Sequence, residues 1–187
     1  LYGITAAIVC NKTDLLNVVN RAELDRMLHV YQQIGYSVFS VSTQQEKSLH
    51  ALRQFLQSKT SVIVGQSGVG KSSLIHALLP DTEIAIGELS AGVEKGKHTT
   101  TTARLYHLPE GGDLIDSPGI RELTLPAIPA PDLLSHFADL QQHAHDCRFR
   151  DCQHKHEPDC AVLAAEQSGK IFPERLASYR HILTNLV

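Results

Sequence analysis

Gly65-Gln66-Ser67-Gly68-Val69-Gly70-Lys71-Ser72 matches G-x-x-x-x-G-K-[ST] at every fixed position. A tight turn between a strand and a helix aims successive backbone N–H groups at phosphate oxygens, and glycines permit both the torsions and the close approach. In that arrangement Lys71 sets its ammonium between the outer two phosphates and Ser72 ligates Mg²⁺, with Ser73 beside it in the opening turn of the helix. The flanks agree: Val62–Val64 reads as a buried strand feeding the loop, and Lys71–Leu79 as the helix after it, stopped by Pro80. A glycine-rich turn with a surface lysine would need neither flank.

Upstream stands Asn11-Lys12-Thr13-Asp14, following the apolar run Ile4–Cys10. Purines differ at their edges, so telling them apart requires a donor–acceptor match. A carboxylate at Asp14 can accept two hydrogen bonds from guanine N1–H and N2–H₂, a pair that adenine lacks. Asn11 can reach N7 and hold the loop, and the Lys12 stem can lie over the base; leaving such buried partners unpaired gives large selectivity. Ser42, at the end of the second strand, sits where a last base-contacting loop is expected. In an ordinary guanine-nucleotide switch protein the N-K-x-D element follows the phosphate loop. Here the order is inverted, which predicts a circularly permuted P-loop GTPase domain.

The rest of the chain fits an α/β domain. Strands are expected at Ile4–Cys10, Tyr36–Val41, Val62–Val64, Arg104–Leu108 and Asp113–Ile115, and helices at Arg21–Gln33, Ser48–Leu56 and Lys71–Leu79. The alternation predicts a mainly parallel sheet with helices on both faces. Residues 85–102 read as a long polar loop, and Pro109-Glu110-Gly111-Gly112 as a turn between two strands. The three prolines of 125–131 read as a linker. Beyond them helices are expected near Asp132–Phe137, Ala161–Gln167 and Pro173–Leu186. The expected domains are therefore 1–128, the GTPase domain, and 129–187, a small helical zinc-binding domain.

With 42% apolar and 20% charged residues the chain has the composition of a soluble globular protein. No apolar run approaches the ~20 residues that span a bilayer, so no membrane contact is expected. A net charge of −3 does not advertise a nucleic-acid partner, although a local basic patch can act within an acidic whole. The first residue is Leu and the chain opens almost directly into a strand, from which we expect upstream sequence to be absent and see no signal peptide.

Asp116-Ser117-Pro118-Gly119 ends a strand and fits D-x-x-G. Asp116 is expected to hold Mg²⁺ through water and the Gly119 N–H to meet the γ-phosphate. In Gly96-Lys97-His98-Thr99-Thr100-Thr101-Thr102 a threonine, Thr100 before Thr99, completes the Mg²⁺ shell only when the γ-phosphate is present. Hydrolysis needs a group that orients the attacking water, often a Gln just after D-x-x-G. Ile120 stands there instead, and His98 has the chemistry to replace it.

Cys147-x4-Cys152-x-His154-x5-Cys160 supplies three thiolates and one imidazole, a closed tetrahedral set suited to structural Zn²⁺. His143, His145 and His156 are alternatives to His154 as the fourth ligand. A tail this small has little core of its own, so a metal ion is expected to help it fold. Cys10 stands alone in an apolar strand and reads as a small buried hydrophobe.

N-K-T-D, then G-Q-S-G-V-G-K-S-S, then G-K-H-T-T-T, then D-S-P-G, then C-x4-C-x-H-x5-C: this order resembles the ribosome-small-subunit-dependent GTPase A family over nearly the whole chain. The resemblance implies hydrolysis of GTP to GDP, Mg²⁺ as cofactor and one structural Zn²⁺. It also implies a monomer in the cytoplasm that contacts ribosomal RNA and assists late maturation of the 30S ribosomal subunit, which stimulates hydrolysis. By position His98 matches the family's proposed catalytic histidine, Thr100 its switch threonine, and Cys147, Cys152, His154 and Cys160 its zinc ligands. Family members carry an N-terminal OB-fold domain, which is expected to be absent here. A nucleotide-gated RNA-binding module with negligible hydrolysis is the alternative, because the usual Gln is missing.

Overall fold

The computed structural model describes residues 4–79, 104–116 and 128–185. Contacts group the chain into two units, Leu1–His29 with Tyr36–Leu123, and Val30–Gly35 with Thr124–Val187.

In the first unit, β1 (Ala7–Cys10) pairs in parallel with β2 (Ser37–Ser40), Ala7 opposite Ser37 and Cys10 opposite Ser40. Between them runs α1 (Val18–Ile34), which starts three residues before the expected Arg21. The Asn17 side chain explains that start, accepting the Asn20 N–H at 2.9 Å as a helix cap does. A second sheet has the order β3-β5-β4, with β3 (Thr60–Ile63) parallel to β5 (Asp113–Asp116) and β4 (Arg104–His107) antiparallel to it. The two-residue approach of Gly111 and Gly112 turns β4 into β5. A Cβ at Gly112 would lie 2.9 Å from the Lys59 carbonyl, at φ +95°, so only glycine lets this turn pack there.

Two helices cover the core of this unit. α2 (Glu46–Leu56) buries Leu49, Leu52 and Leu56, spaced for one face, and α3 (Lys71–Leu78) buries Leu74, Ile75 and Leu78. They meet Val41, Leu108 and Leu114 in one cluster. Arg53 of α2 donates to the Ala77 carbonyl of α3 at 2.6 Å, which ties the helix after the phosphate loop to its neighbour. α1 contributes less: its helical spacing sets Leu24, Met27, Leu28 and Tyr31 on one face, yet of these Leu28 is buried and Met27 is exposed.

The second unit holds α4 (Ala130–Ser135), α5 (Ala138–Ala144), α6 (Ala161–Gln167) and α7 (Pro173–Asn185). One helix was expected near Asp132–Phe137; two short ones are found. The Ser135 hydroxyl and the His136 ring both bond to the Asp132 carbonyl, at 2.6 and 2.7 Å, which closes α4, and buried Phe137 then starts α5. Leu140, Val162, Ile171 and Leu176 are almost fully buried, with Tyr179 edge-on to Phe137 at 5.4 Å. Arg175 of α7 clamps Asp139 of α5 through two bonds of 3.0 and 2.9 Å, with both side chains 10% exposed. Removing one partner of a buried pair strands the other charge, at a cost of about 3–5 kcal/mol. Arg175→Met is therefore expected to unfold this unit at markedly lower denaturant, read by hydrogen exchange across residues 128–185.

Candidate nucleotide site and metal centre

The turn after β1 and the turn after β3 are joined by side chains. Asn11 Nδ2 donates to the Val69 and Gly70 carbonyls at 3.1 and 3.4 Å, and Lys12 Nζ to the Gly68 carbonyl at 2.6 Å. Asn11 Oδ1 accepts the Lys12 N–H at 2.8 Å, and Lys12 takes the left-handed conformation, φ 62°. Of the two roles expected for Asn11, holding the loop is the one its hydrogen bonds carry. Gly70 is required by this closeness: at φ +91° its Cβ would stand 2.5 Å from Asn11 Nδ2.

Asp14 is held from the end of β2. The Ser42 hydroxyl, fully buried, donates to Asp14 Oδ1 at 2.5 Å. Ser48 in turn fixes Ser42, its Oγ accepting the Ser42 N–H at 2.9 Å and lying 3.0 Å from the Ser42 carbonyl. Buried Thr13 donates its hydroxyl and N–H to the Val41 carbonyl at 3.0 and 3.2 Å, and Arg21 donates to the Thr13 carbonyl at 3.1 Å. This leaves one Asp14 oxygen engaged and aims the carboxylate by three layers of bonds. Ser48 and Arg21 were missed from the sequence. Arg21 lies at helical spacing inside α1, where a solvent-facing charge was the default.

In the phosphate loop, Lys71 Nζ bonds the Gly65 carbonyl and, at 2.9 Å, the Gln66 carbonyl. Ser67, Gly68 and Val69 form the turn, and Ser72 and Ser73 are exposed on the first turn of α3. Asp116 ends β5, directly opposite Ile63 at the end of β3, and so reaches the same edge of the sheet as the loop. His98, Thr99, Thr100 and Gly119 lie outside the described residues. Asn11, Lys12, Gly70 and Lys71 help line a largely apolar cavity of about 810 Å³, together with Val9, Val62, Leu52 and Leu74. An apolar body does not suit a polyanion.

In the second unit Cys147, Cys152, His154 and Cys160 converge, with their ligand atoms all within 4.8 Å of one another. Cys147 Sγ lies 3.8 Å from Cys160 Sγ and 3.7 Å from His154 Nδ1, which is 3.4 Å from Cys160 Sγ. A tetrahedron with Zn–S near 2.3 Å and Zn–N near 2.0–2.1 Å has edges of about 3.8 and 3.6 Å, so these four residues fit that ion. Among the described residues His143, His145 and His156 are not part of the group. Burial holds the His154 imidazole below its ordinary pKa, in the neutral form that ligates. Burial also pushes the Cys152 thiol up to about 12, opposed by a bond from the His154 backbone and reinforced by the Cys160 and Cys147 sulfurs. A cation that offsets the charge favours the thiolate forms that ligate it.

The sequence profile described as RsgA GTPase matches residues 1–126. A small ribosomal subunit biogenesis GTPase RsgA of Azotobacter vinelandii is 50% identical over 184 residues, 98% of this chain and 54% of that protein. The protein of the same name from Chromohalobacter salexigens is 53% identical over 184 residues, again 98% of this chain and 54% of its own length. The chain thus spans about half the length of these relatives. Among solved structures, YjeQ from Thermotoga maritima superposes with a TM-score of 0.79 at 29% identity, covering 98% of this chain and 60% of that one. YloQ, a circularly permuted GTPase, gives 0.74 at 31% identity, covering 96% of this chain and 56% of its own. With Asn11-Lys12-Thr13-Asp14 preceding the glycine loop that it touches, a matching family profile over residues 1–126 and relatives identical at half of its positions, this chain belongs to the RsgA GTPase family.

Proposed function

We propose that this chain binds GTP, hydrolyses it to GDP, and serves the maturation of the small (30S) ribosomal subunit, contacting its rRNA as a cytoplasmic monomer. The observation that carries the reading is the bond from Asn11 to the carbonyl of Val69, 58 positions away, with Lys12 bonded to Gly68 beside it. A base-reading turn and a phosphate cradle held that close serve one nucleotide. The relatives' name, small ribosomal subunit biogenesis GTPase, supports the ribosomal part of the reading.

In this reading the backbone N–H groups of 65–72 cradle the phosphates, Lys71 neutralises the outer two, and Asp14 accepts from the guanine edge with Ser42 aiming it. Ser72 and Thr100 would hold Mg²⁺, with Asp116 acting through water; the ion supplies charge neutralisation on the phosphate oxygens. The Gly119 N–H meets the γ-phosphate, and His98 orients the attacking water in place of the missing Gln. Cys147, Cys152, His154 and Cys160 would hold Zn²⁺, which supplies folding energy rather than chemistry, in a C-terminal domain of 129–187.

Competition between GTP and ATP tests the base assignment, and single-turnover hydrolysis with and without purified 30S subunits tests the rest. Asp14→Asn removes the paired acceptor and leaves guanine donors facing an amide. GTP affinity is expected to fall by about two orders of magnitude, the ~3 kcal/mol of a lost charged hydrogen-bond pair. Equal competition by ATP against the unaltered chain would end the guanine reading.

A further inference from the structure

We propose that Arg180 and Glu157 are positioning residues of the metal centre, fixing the left-handed turn that presents His154 Nδ1 to the cysteine sulfurs. His154 is 1% exposed and sits at φ +60°, a conformation that a side chain bearing a β-carbon disfavours. Something must hold it there, and two side chains converge on the turn around it, one from within the loop and one from α7. Arg180 of α7 donates through Nε and Nη2 to the His154 carbonyl at 3.0 and 2.7 Å, and through Nη2 to the Lys155 carbonyl at 3.2 Å. Glu157 accepts the Gln153 N–H on one oxygen at 2.9 Å, and the Lys155 and His156 N–H groups on the other at 2.8 and 3.0 Å. The N–H groups of 153, 155 and 156 and the carbonyls of 154 and 155 are thereby each tied to one of the two. The guanidinium fork takes the carbonyls and the carboxylate takes the amides, so the turn is closed by charged partners on both sides.

Neither residue is a ligand: Arg180 acts on the metal through the His154 carbonyl, and Glu157 through the peptide N–H groups on either side of it. Outer partners of this kind typically change metal affinity 10–100-fold. α7 also carries Arg175, which holds Asp139 of α5, so the helix that packs this unit is the one that sets the turn.

The proposal rests on the reading of the cluster as a zinc site, and the test separates the two. Zn²⁺ affinity of the chain is measured by competition with a chromophoric chelator, and ligand geometry by the visible spectrum of the Co²⁺-loaded chain. If the unaltered chain binds no Zn²⁺ with at least micromolar affinity, the zinc reading itself fails. If it binds, Arg180→Met and Glu157→Ala are each expected to weaken Zn²⁺ binding about 10–100-fold. Arg180→Lys, which keeps the charge but not the fork, should fall between. Thermal unfolding of the metal-free variants provides the second readout. A loss of affinity with metal-free stability unchanged supports positioning. An affinity within threefold of the unaltered chain, or a loss no larger than the fall in metal-free stability accounts for, overturns it. Where Arg180→Met fails to fold, Glu157→Gln, which leaves one amide group facing donors, decides by the same criteria.

Discussion

Lys71→Met is expected to weaken GTP binding by 100-fold or more and to abolish turnover, while leaving the fold of the first unit intact. Among the described residues the ammonium bonds the Gly65 and Gln66 carbonyls, at a half-exposed site, so its loss returns two carbonyls to water and creates no cavity. Stability should change little. Binding is different, because a charge-assisted hydrogen bond to phosphate contributes about 1.5–3 kcal/mol, and a lysine between two phosphates makes more than one. Lys12→Met is the informative comparison. Its ammonium holds the Gly68 carbonyl and so joins the two loops without meeting phosphate in the proposed reading. Its loss should weaken GTP less than the loss of Lys71 does, and should weaken guanosine and GTP by similar factors. Fluorescent-nucleotide titration separates these outcomes. GTP binding within threefold of the unaltered chain for Lys71→Met would remove the phosphate loop from the site.

How much of this was visible in the residues depends on how local the chemistry is. A phosphate cradle is built from consecutive peptide groups, so Gly65 to Ser72 could be recognised by eye, and Gly70 even shows its second constraint once Asn11 is seen against it. Asn11 to Asp14 were legible because the motif is short and its displaced position is itself informative. The three cysteines and His154 followed from spacing, with His143, His145 and His156 left as alternatives; how the turn that carries His154 is held, by bonds to Arg180 and Glu157, only folding assembles. The same reason hid the Arg175–Asp139 pair, 36 positions apart, and the Ser48–Ser42–Asp14 relay. Element ends shifted by a few residues wherever a side chain caps the backbone, as Asn17 does for α1, and α5 was missed because Ser135 and His136 close α4 early. Periodicity reports which face is apolar; it is blind to where a polar side chain competes for the last carbonyl.

Removing metal is expected to cost the second unit its stability and leave the first unit standing. Cys160 is both a ligand in the cluster and a buried member of the apolar core that includes Leu140, Val162 and Tyr179, and Cys147 and Cys152 pack against that core. Losing the ion therefore loosens the packing as well as the loop. A strong chelator, or Cys160→Ser, should lower the unfolding temperature of residues 128–185 by on the order of 10 °C or more, read by hydrogen exchange. The pH dependence supplies a sharper signature, because its sign depends on the ion. Metal-free, burial raises the Cys152 and Cys160 thiols above their ordinary values, so the folded state holds protons that the unfolded state releases. That stabilisation is complete below the unfolded thiol value, near 8.5, and is lost as pH rises toward about 12, the Cys152 value. Metal-loaded, the folded thiolates carry no protons while the unfolded thiols do, so stability rises with pH up to about 8.5. Thermal unfolding across pH 6 to about 8.5 with Zn²⁺, and above about 8.5 with chelator, should thus slope in opposite directions. A slope of the same sign in both, or no response of the second unit to chelation, means that no ion is held by these four residues.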